Sequence, residues 1–470
     1  MAEQTGVKNH PFEGVPKWRQ TFLRIADENF CCRYYPKRWL LAALCHIGFA
    51  ISFGIRCNFG AAKIVLFGNF TGSGENDLAH LHAHGSAIAL LESSFFYGCC
   101  ISVLPAGILA AKYSSVRLLG FGVGLLAALN LFLPWAFRFG LVAPVLIQFV
   151  QGIAQGLLYP CMLGIWSVWA PISEKTKLAT TSVTGNYVGV FVGIPLSALL
   201  VSHFGWSAPF YVYGSCGLIW YVFWSLLAVS KPSEHPTLCD KEKELILRGR
   251  QSSNCTNTLF KMRKVPWRAI LSSPPVWALI VATFSRCWIM YTLINDQLSF
   301  MSDTLGFTMD ASAILASIPH ALMSITVIAS GQVADCLRNK HKLATTTVRK
   351  ISHCTGISLE ATFLFICAFV RDKTLAVTSL ILARACSGLA VSGSNVNHLD
   401  LTQRYASILT GICQTFGYFA GILTPLVTEN VLAATGIDGW KIAFSLAAVI
   451  QLISVLIYGV FASGEIQSWG

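Results

Sequence analysis

The chain has 470 residues, of which 54% are hydrophobic and 12% charged, with a net charge of +12 and a mean hydropathy of +0.59. An average soluble chain carries about 25% charged residues, so a soluble globular fold is excluded. The basic residues fall mostly between the apolar segments, which excludes a nucleic-acid patch and marks positive-inside charge around a bilayer.

The stretch from Met1 to Lys37 is polar and mixed in charge, so no cleavable signal peptide is expected and 1–38 reads as a cytoplasmic N-terminal segment. Beyond it, apolar runs are compared with the roughly 20 residues a spanning helix needs. They predict spans near 39–62, 87–111, 118–137, 141–166, 178–201 and 207–230, then 276–299, 311–334, 351–371, 374–397, 405–428 and 440–463. The reading is an all-α polytopic membrane protein with two six-helix halves, 39–230 and 271–463, a middle loop at 231–270, and a short tail at 464–470.

The middle loop carries Lys231, Lys241, Lys243, Arg248, Arg250, Lys261, Arg263, Lys264 and Arg268, whereas Ser302 to Thr308 has no Lys or Arg. That asymmetry puts the middle loop and both termini in the cytoplasm. Most of the sixteen cysteines lie within apolar spans without paired spacing and read as small buried residues.

The halves resemble each other. Pro-Ala-Gly107-Ile-Leu-Ala-Ala-Lys112 after span two is answered by Ala-Ser-Gly331-Gln-Val-Ala-Asp335 after span eight, an offset of 331 − 107 = 224. Thr184-Gly185 and Thr410-Gly411 are offset by 410 − 184 = 226. Tandem six-span halves with such a turn describe the major facilitator fold, with substrate bound between the halves near the midplane. The Gly107 and Gly331 turns are expected to support rocking of the halves.

Arg56 and Arg286 lie inside the first span of each half, offset by 286 − 56 = 230. A charge at the centre of a membrane helix costs about 2.5–3.5 kcal/mol on insertion scales, so one that is kept faces a cavity and handles an ion or substrate. The pseudo-symmetry predicts that these two face each other across the cavity. A guanidinium presents a planar fork of donors that suits a carboxylate, and two of them suit a dicarboxylate. The other reading has each arginine held by a buried acid or by carbonyls, stiffening the bundle.

Motifs spread from about Trp39 to Trp469 carry a family resemblance. They are Phe53-Gly-Ile-Arg-Cys-Asn58, Trp169-Ala-Pro with Lys177-Leu-Ala-Thr-Thr181, His235-Pro-Thr237 and Val348-Arg-Lys-Ile351. Ser392-Gly-Ser-Asn-Val-Asn-His-Leu-Asp400, Arg404-Tyr-Ala-Ser-Ile-Leu409 and Ala462-Ser-Gly-Glu-Ile-Gln-Ser-Trp469 complete the set. The chain resembles the vesicular glutamate transporter branch of the anion transporters that also includes sialin and the type I sodium-phosphate cotransporters. The resemblance implies that Arg56 and Arg286 meet substrate carboxylates and that Tyr159 and Tyr291 stand on the cavity wall. Packing between helices is the other reading for both tyrosines. It also implies a role for His320, either proton coupling or structure, and for His398, which is expected to orient a cytoplasmic-end network with Asp400 and Arg404.

Three positions depart from the family pattern. Glu92 stands where a histidine is expected, Gln148 where an arginine is expected, and Gln155 where a glutamate is expected. Proton- and chloride-dependent control at the span-four pair therefore does not carry over. Glu92 and Glu360, inside apolar spans, become candidates for the proton site or for counter-ions of an arginine.

Asn69-Phe-Thr71 is a glycosylation sequon on the lumenal side, whereas Asn254-Cys-Thr256 falls in the cytoplasmic loop and should stay bare. His80, His82 and His84 alternate at a spacing that can bind a metal if extended, the leading reading being a solvated loop cluster that charges at acidic pH. No Walker loop, zinc-ligand set or nucleophile constellation is present, so neither enzyme activity nor a metal or organic cofactor is expected; coupling ions would be H+, Cl− or Na+. The leading expectation is secondary active transport of a small organic anion, L-glutamate first, in the membrane of a synaptic or other acidic vesicle. Proton-coupled acidic-sugar transport, sodium-coupled phosphate transport, and a non-transporting receptor on the same fold are the alternatives. The partners expected are the anion and the lipid bilayer, with no nucleic acid; a monomer suffices.

Overall fold

The computed structural model describes residues 16, 19–21, 23, 36–67, 85–251, 265–307, 309–340, 342–370, 372–402 and 404–469. Asn69, Asn254 and the histidines at 80, 82 and 84 lie outside them.

The first half runs through α1 (Lys37–Phe67), α2 (Gly85–Lys112), α3 (Ser115–Ala136), α4 (Val142–Gln155), α5 (Leu158–Trp169), α6 (Lys175–Phe204) and α7 (Ala208–Leu227). The second half runs through α10 (Pro274–Asp303), α11 (Met309–Asn339), α12 (Thr345–Phe369), α13 (Lys373–Ala390), α14 (Val396–Leu401), α15 (Ala406–Thr435) and α16 (Gly439–Phe461). Among the described residues twelve segments are long and apolar enough to cross a membrane, matching the predicted spans to within a few residues at most ends. In a bilayer core every backbone polar group must find an internal partner, which is why such apolar runs become helices.

Two predicted features are refined. The middle loop is partly helical, with α8 (Asp240–Gln251) and the short α9 (Trp267–Leu271). Span four is not one helix. It breaks at Gly156-Leu157 between α4 and α5, where Gly156 is pressed against Val103 and the Cys99 carbonyl of α2, so that any Cβ would clash with Ser102.

The chain caps two of these helices with its own side chains. Ser114 accepts from the Arg117 N–H at the start of α3, and Asp372 accepts from the Leu375 N–H at 2.8 Å at the start of α13. Prolines 105, 195, 319 and 425 sit inside α2, α6, α11 and α15, a placement that membrane helices tolerate because neighbouring groups re-satisfy the freed carbonyls.

The halves meet along two helix pairs, α2 against α15 and α6 against α11. The core of the first half, with Phe49, Phe53 and Trp166, runs on into Met290, Tyr291, Met323 and Tyr418 of the second. The second half keeps a core of its own around Trp288, Phe300, Trp440 and Phe444.

At the end of the bundle that bears the 231–270 segment, called the linker end here, the halves are bolted together. Lys175 at the start of α6 donates to the Leu399 carbonyl at 2.6 Å and lies 3.5 Å from Asp400 Oδ1. The Lys177 N–H donates to Asp335 Oδ2 at 3.2 Å, and Arg349 donates to Thr176 Oγ1 at 3.3 Å. Gly107 lies in the same seam, where a Cβ would come within 2.6 Å of the Ser407 carbonyl oxygen, and Gly331 abuts Thr180. The two pseudo-equivalent glycines thus both sit in close contact with the opposite half, Gly107 against backbone and Gly331 against a side chain.

Candidate functional site

Arg286 projects from α10 into a cavity of about 450 Å³ at the seam, lined also by Tyr159, Tyr187, Tyr291, Met323, Arg384 and Asn395. Its guanidinium donates through Nη1 to Asn395 Oδ1 and through Nη2 to the Tyr187 hydroxyl at 3.2 Å, while its Nε has no hydrogen-bond partner. No carboxylate is paired with it among the described residues. A cation held by two neutral oxygens and facing open space is prepared for an anion, because a carboxylate forms shorter and stronger bonds to a guanidinium than an amide or a phenol does.

Asn395 reaches Arg286 because the backbone widens into a π-helical turn at Val391–Asn395, between α13 and α14. Single π turns are rare and recur at functional sites, where they re-aim a side chain. Gly393 lets the turn pack closely on α12, since a Cβ there would come within 2.8 Å of the Arg349 carbonyl oxygen.

Arg56 lies in a neighbouring cavity of about 320 Å³, with Phe53, Phe95, Phe96, Gln155, Tyr291 and Tyr418 on its wall. Its guanidinium carbon is 4.7 Å from the ring centre of Phe95 and 4.6 Å from that of Phe96, a cation–π seat. Tyr291 lines both cavities and stacks its ring edge-on with Phe96, centroids 4.6 Å apart. The expectation that Arg56 and Arg286 face each other across one cavity is therefore corrected. They occupy adjoining chambers that share the Tyr291 ring.

Tyr159 packs edge-on to Phe49 and accepts from Asn186 Nδ2, so it both packs and lines the Arg286 chamber. Gln155 is buried on the Arg56 side with its Oε1 lacking a partner, and Gln148 is buried on the same helix, α4. Glu92 lies on α2, but its side chain falls outside the described residues.

Glu360 pairs with Arg384, Oε1 to Nη1 at 2.7 Å, both side chains being within 2% of full burial. Of the two readings of Glu360, the counter-ion geometry is present, and its arginine is neither Arg56 nor Arg286. His320 is buried on α11, and neither of its ring nitrogens has a hydrogen-bond partner among the described residues.

The expected trio of His398, Asp400 and Arg404 does not assemble. Asp400 is held by Arg349 at 2.7 Å and by Lys175, His398 Nδ1 donates to the Asn395 carbonyl at 3.1 Å, and Arg404 is exposed beside the Tyr405 ring. The physical reason is reach: Thr402 leaves the helix in an extended conformation, carrying Arg404 out of the bundle while Asp400 stays buried under α12.

Sequence reasoning passed over Tyr187 and Arg384, and quoted Arg349 and Asn395 within motifs without giving either a role. For Arg349 and Arg384 the signal was present, since each is an ionisable residue in an apolar helix. For Asn395 no sequence rule announces a π turn.

Comparisons with known proteins agree with this architecture. Residues 44–425 match the Major Facilitator Superfamily. The chain is 46% identical to the probable vesicular glutamate transporter eat-4 of Caenorhabditis elegans over 455 residues, covering 95% of this chain and 77% of that protein. It is 39% identical to vesicular glutamate transporter 2 of Homo sapiens over 443 residues, covering 93% of this chain and 76% of the relative. Among solved structures, the partially occluded inward-open xylose transporter XylE from E. coli superposes with a TM-score of 0.64 at 12% identity, covering 89% of this chain and 96% of that one. A bacterial homolog of the human lysosomal transporter Spinster, inward-facing and occupied, gives 0.59 at 13% identity, covering 90% of this chain and 96% of that one. A fold with two six-helix halves, a cationic cavity at their seam and such similarity over nearly the whole chain has one conclusion: this multi-pass membrane protein belongs to the vesicular glutamate transporters of the major facilitator superfamily.

Proposed function

We propose that the protein moves L-glutamate across a vesicle membrane by alternating access, with Arg286 as the principal carboxylate anchor. The observation that carries this reading is the Arg286 guanidinium, set in the seam cavity on two neutral partners that a carboxylate can displace. Tyr187 belongs to the first half, whereas Arg286 and Asn395 belong to the second. A substrate carboxylate that takes over the fork therefore changes a bond that ties one half to the other, and occupancy is coupled to their relative position.

With the 231–270 segment in the cytoplasm, the described state is closed on the cytoplasmic side by Lys175, Lys177 and Arg349. Loading from the cytosol then requires those bonds to open. Arg56, in the adjoining chamber, receives the anion on the far side of Tyr291. A lumen-positive potential favours entry of an anion by about 2.3 kcal/mol per elementary charge per 100 mV.

The test is uptake of radiolabelled glutamate into proteoliposomes under an imposed lumen-positive potential, with and without Arg286→Ala. Potential-driven uptake that the variant loses supports the reading. Absence of uptake while a matched reference transporter is active sinks it.

A further inference from the structure

Two arginines of the second half are equally buried and differently satisfied. Arg349, at the linker end, meets three oxygens: Asp400 Oδ2 at 2.7 Å, the Ser392 carbonyl at 2.5 Å and Thr176 Oγ1 at 3.3 Å. Arg384, on α13, gives Nη1 to Glu360 Oε1 at 2.7 Å and Nη2 to the Met323 thioether at 3.0 Å, and its Nε has no hydrogen-bond partner. A guanidinium offers five N–H donors, and a thioether is a weak acceptor. Arg349 is a finished structural residue, whereas Arg384 meets a single strong acceptor.

The unfinished arginine lines the same chamber as Arg286, whose Nε also lacks a partner. Arg286 and Arg384 are the charged residues of that wall, and Arg56 lies in the other chamber. Glu360 occupies only the Nη1 end of the Arg384 fork. The Nε–Nη2 edge, blocked by nothing stronger than sulfur, is the edge on which a carboxylate binds in bidentate fashion. Glu360 supplies the counter-charge without which a buried guanidinium is costly.

We propose that Arg384 is the second anion anchor of the Arg286 chamber and makes it selective for short dicarboxylates. One substrate carboxylate sits on Arg286 and the other on the Nε–Nη2 edge of Arg384, with Glu360 kept on Nη1. This assignment rests on the reading of the seam cavity as the transport site. It moves the second carboxylate contact from Arg56, where pseudo-symmetry puts it, to a residue of span ten.

The test compares glutarate, with two carboxylates, and butyrate, with one, by ligand-dependent thermal unfolding of the purified full chain. The natural protein is expected to bind glutarate about tenfold more tightly than butyrate, the gain of one charge-assisted contact. Glu360→Gln combined with Arg384→Met removes both buried charges together, because either alone strands its partner; in that variant the ratio should fall to near one. Arg384→Lys keeps the charge beside Glu360 but lacks the planar edge, and its ratio should fall likewise. An equal ratio in all three proteins, or no preference in the natural one, overturns the assignment. Glutamate uptake measured in parallel separates the two readings. Dicarboxylate preference without uptake sinks transport and leaves the subsite, while uptake without preference does the reverse.

Discussion

Arg286 of the second half donates to the Tyr187 hydroxyl of the first at 3.2 Å, across the seam. This bond makes the proposed substrate anchor also a contact between the two halves. Removing the guanidinium is therefore expected to affect both binding and the coupling of binding to movement. Arg286→Ala should lower glutamate uptake at least about a hundredfold, the loss of two charge-assisted contacts. Expression and the elution profile of the purified protein should stay normal, because the residue faces a cavity and not a packed core. Proteoliposome uptake at matched protein density checks this, and normal uptake would refute the anchor.

Asn395 offers a sharper probe, since its Oδ1 accepts from Arg286 Nη1. Asn395→Asp, nearly identical in shape, supplies a built-in carboxylate that competes with the substrate for the same fork. The KM for glutamate should rise about tenfold or more at neutral pH, and acidifying the cavity side should restore part of the affinity by neutralising the new carboxyl. An unchanged KM would mean that substrate does not use the Nη1 side.

The bolt at the linker end can be weakened without touching either chamber. Asp400→Ala leaves Arg349 and Lys175 buried without their carboxylate, and breaking a buried pair in this way costs about 3–5 kcal/mol. Thermal unfolding should shift down markedly, and thiols introduced on the linker-end faces of α6 and α11 should become more reactive. If Asp400→Ala unfolds at the same temperature as the natural protein, the bolt is not a stabilising element.

Gly107 gives an independent test of the same seam. With the Ser407 carbonyl oxygen 2.6 Å from where a Cβ would stand, Gly107→Val should wedge the halves apart, slow uptake and increase linker-end thiol labelling. Slower uptake without added labelling would place the defect elsewhere.

The span-four departures yield a titration prediction. Gln155→Glu puts a carboxylate into the chamber that holds Arg56; ionised, it pairs with that guanidinium and blocks it, and protonated it releases it. Combined with Gln148→Arg, it should make uptake rise as pH falls, as a profile of uptake against pH would record. A flat profile would show that this helix does not tune Arg56.

How much of this was legible in the sequence follows from which forces act locally. Spans are set by runs of apolar residues, so the twelve helices, the two halves and the placement of Arg56 and Arg286 inside helices could be read directly. Chamber assignment depends on helix rotation and on the break at Gly156-Leu157, which depend on packing between distant helices. The mistaken expectation that Arg56 opposes Arg286 came from treating the pseudo-symmetry as perfect. Arg384 was hidden in plain view, in Leu-Ala-Arg-Ala-Cys, because the charge-in-a-span rule was applied to the arginines in the first span of each half and to Glu92 and Glu360, and not to span ten. Asp400 was read with its sequence neighbours His398 and Arg404, whereas the chain turns at Thr402 and the true partners come from α12 and α6.

The polarity of the linker-end bolt has a consequence for recombination between relatives. The first half brings an ammonium and an amide, from Lys175 and Lys177, and the second brings the carboxylates that receive them, Asp400 and Asp335. The halves are thus keyed like plug and socket. A chimera that joins residues 1–230 to the second half of another transporter should shut fully only if that half presents two acids, and a donor for Thr176 where Arg349 stands, at matching heights. Halves that do not match in this way should leave the linker end loose.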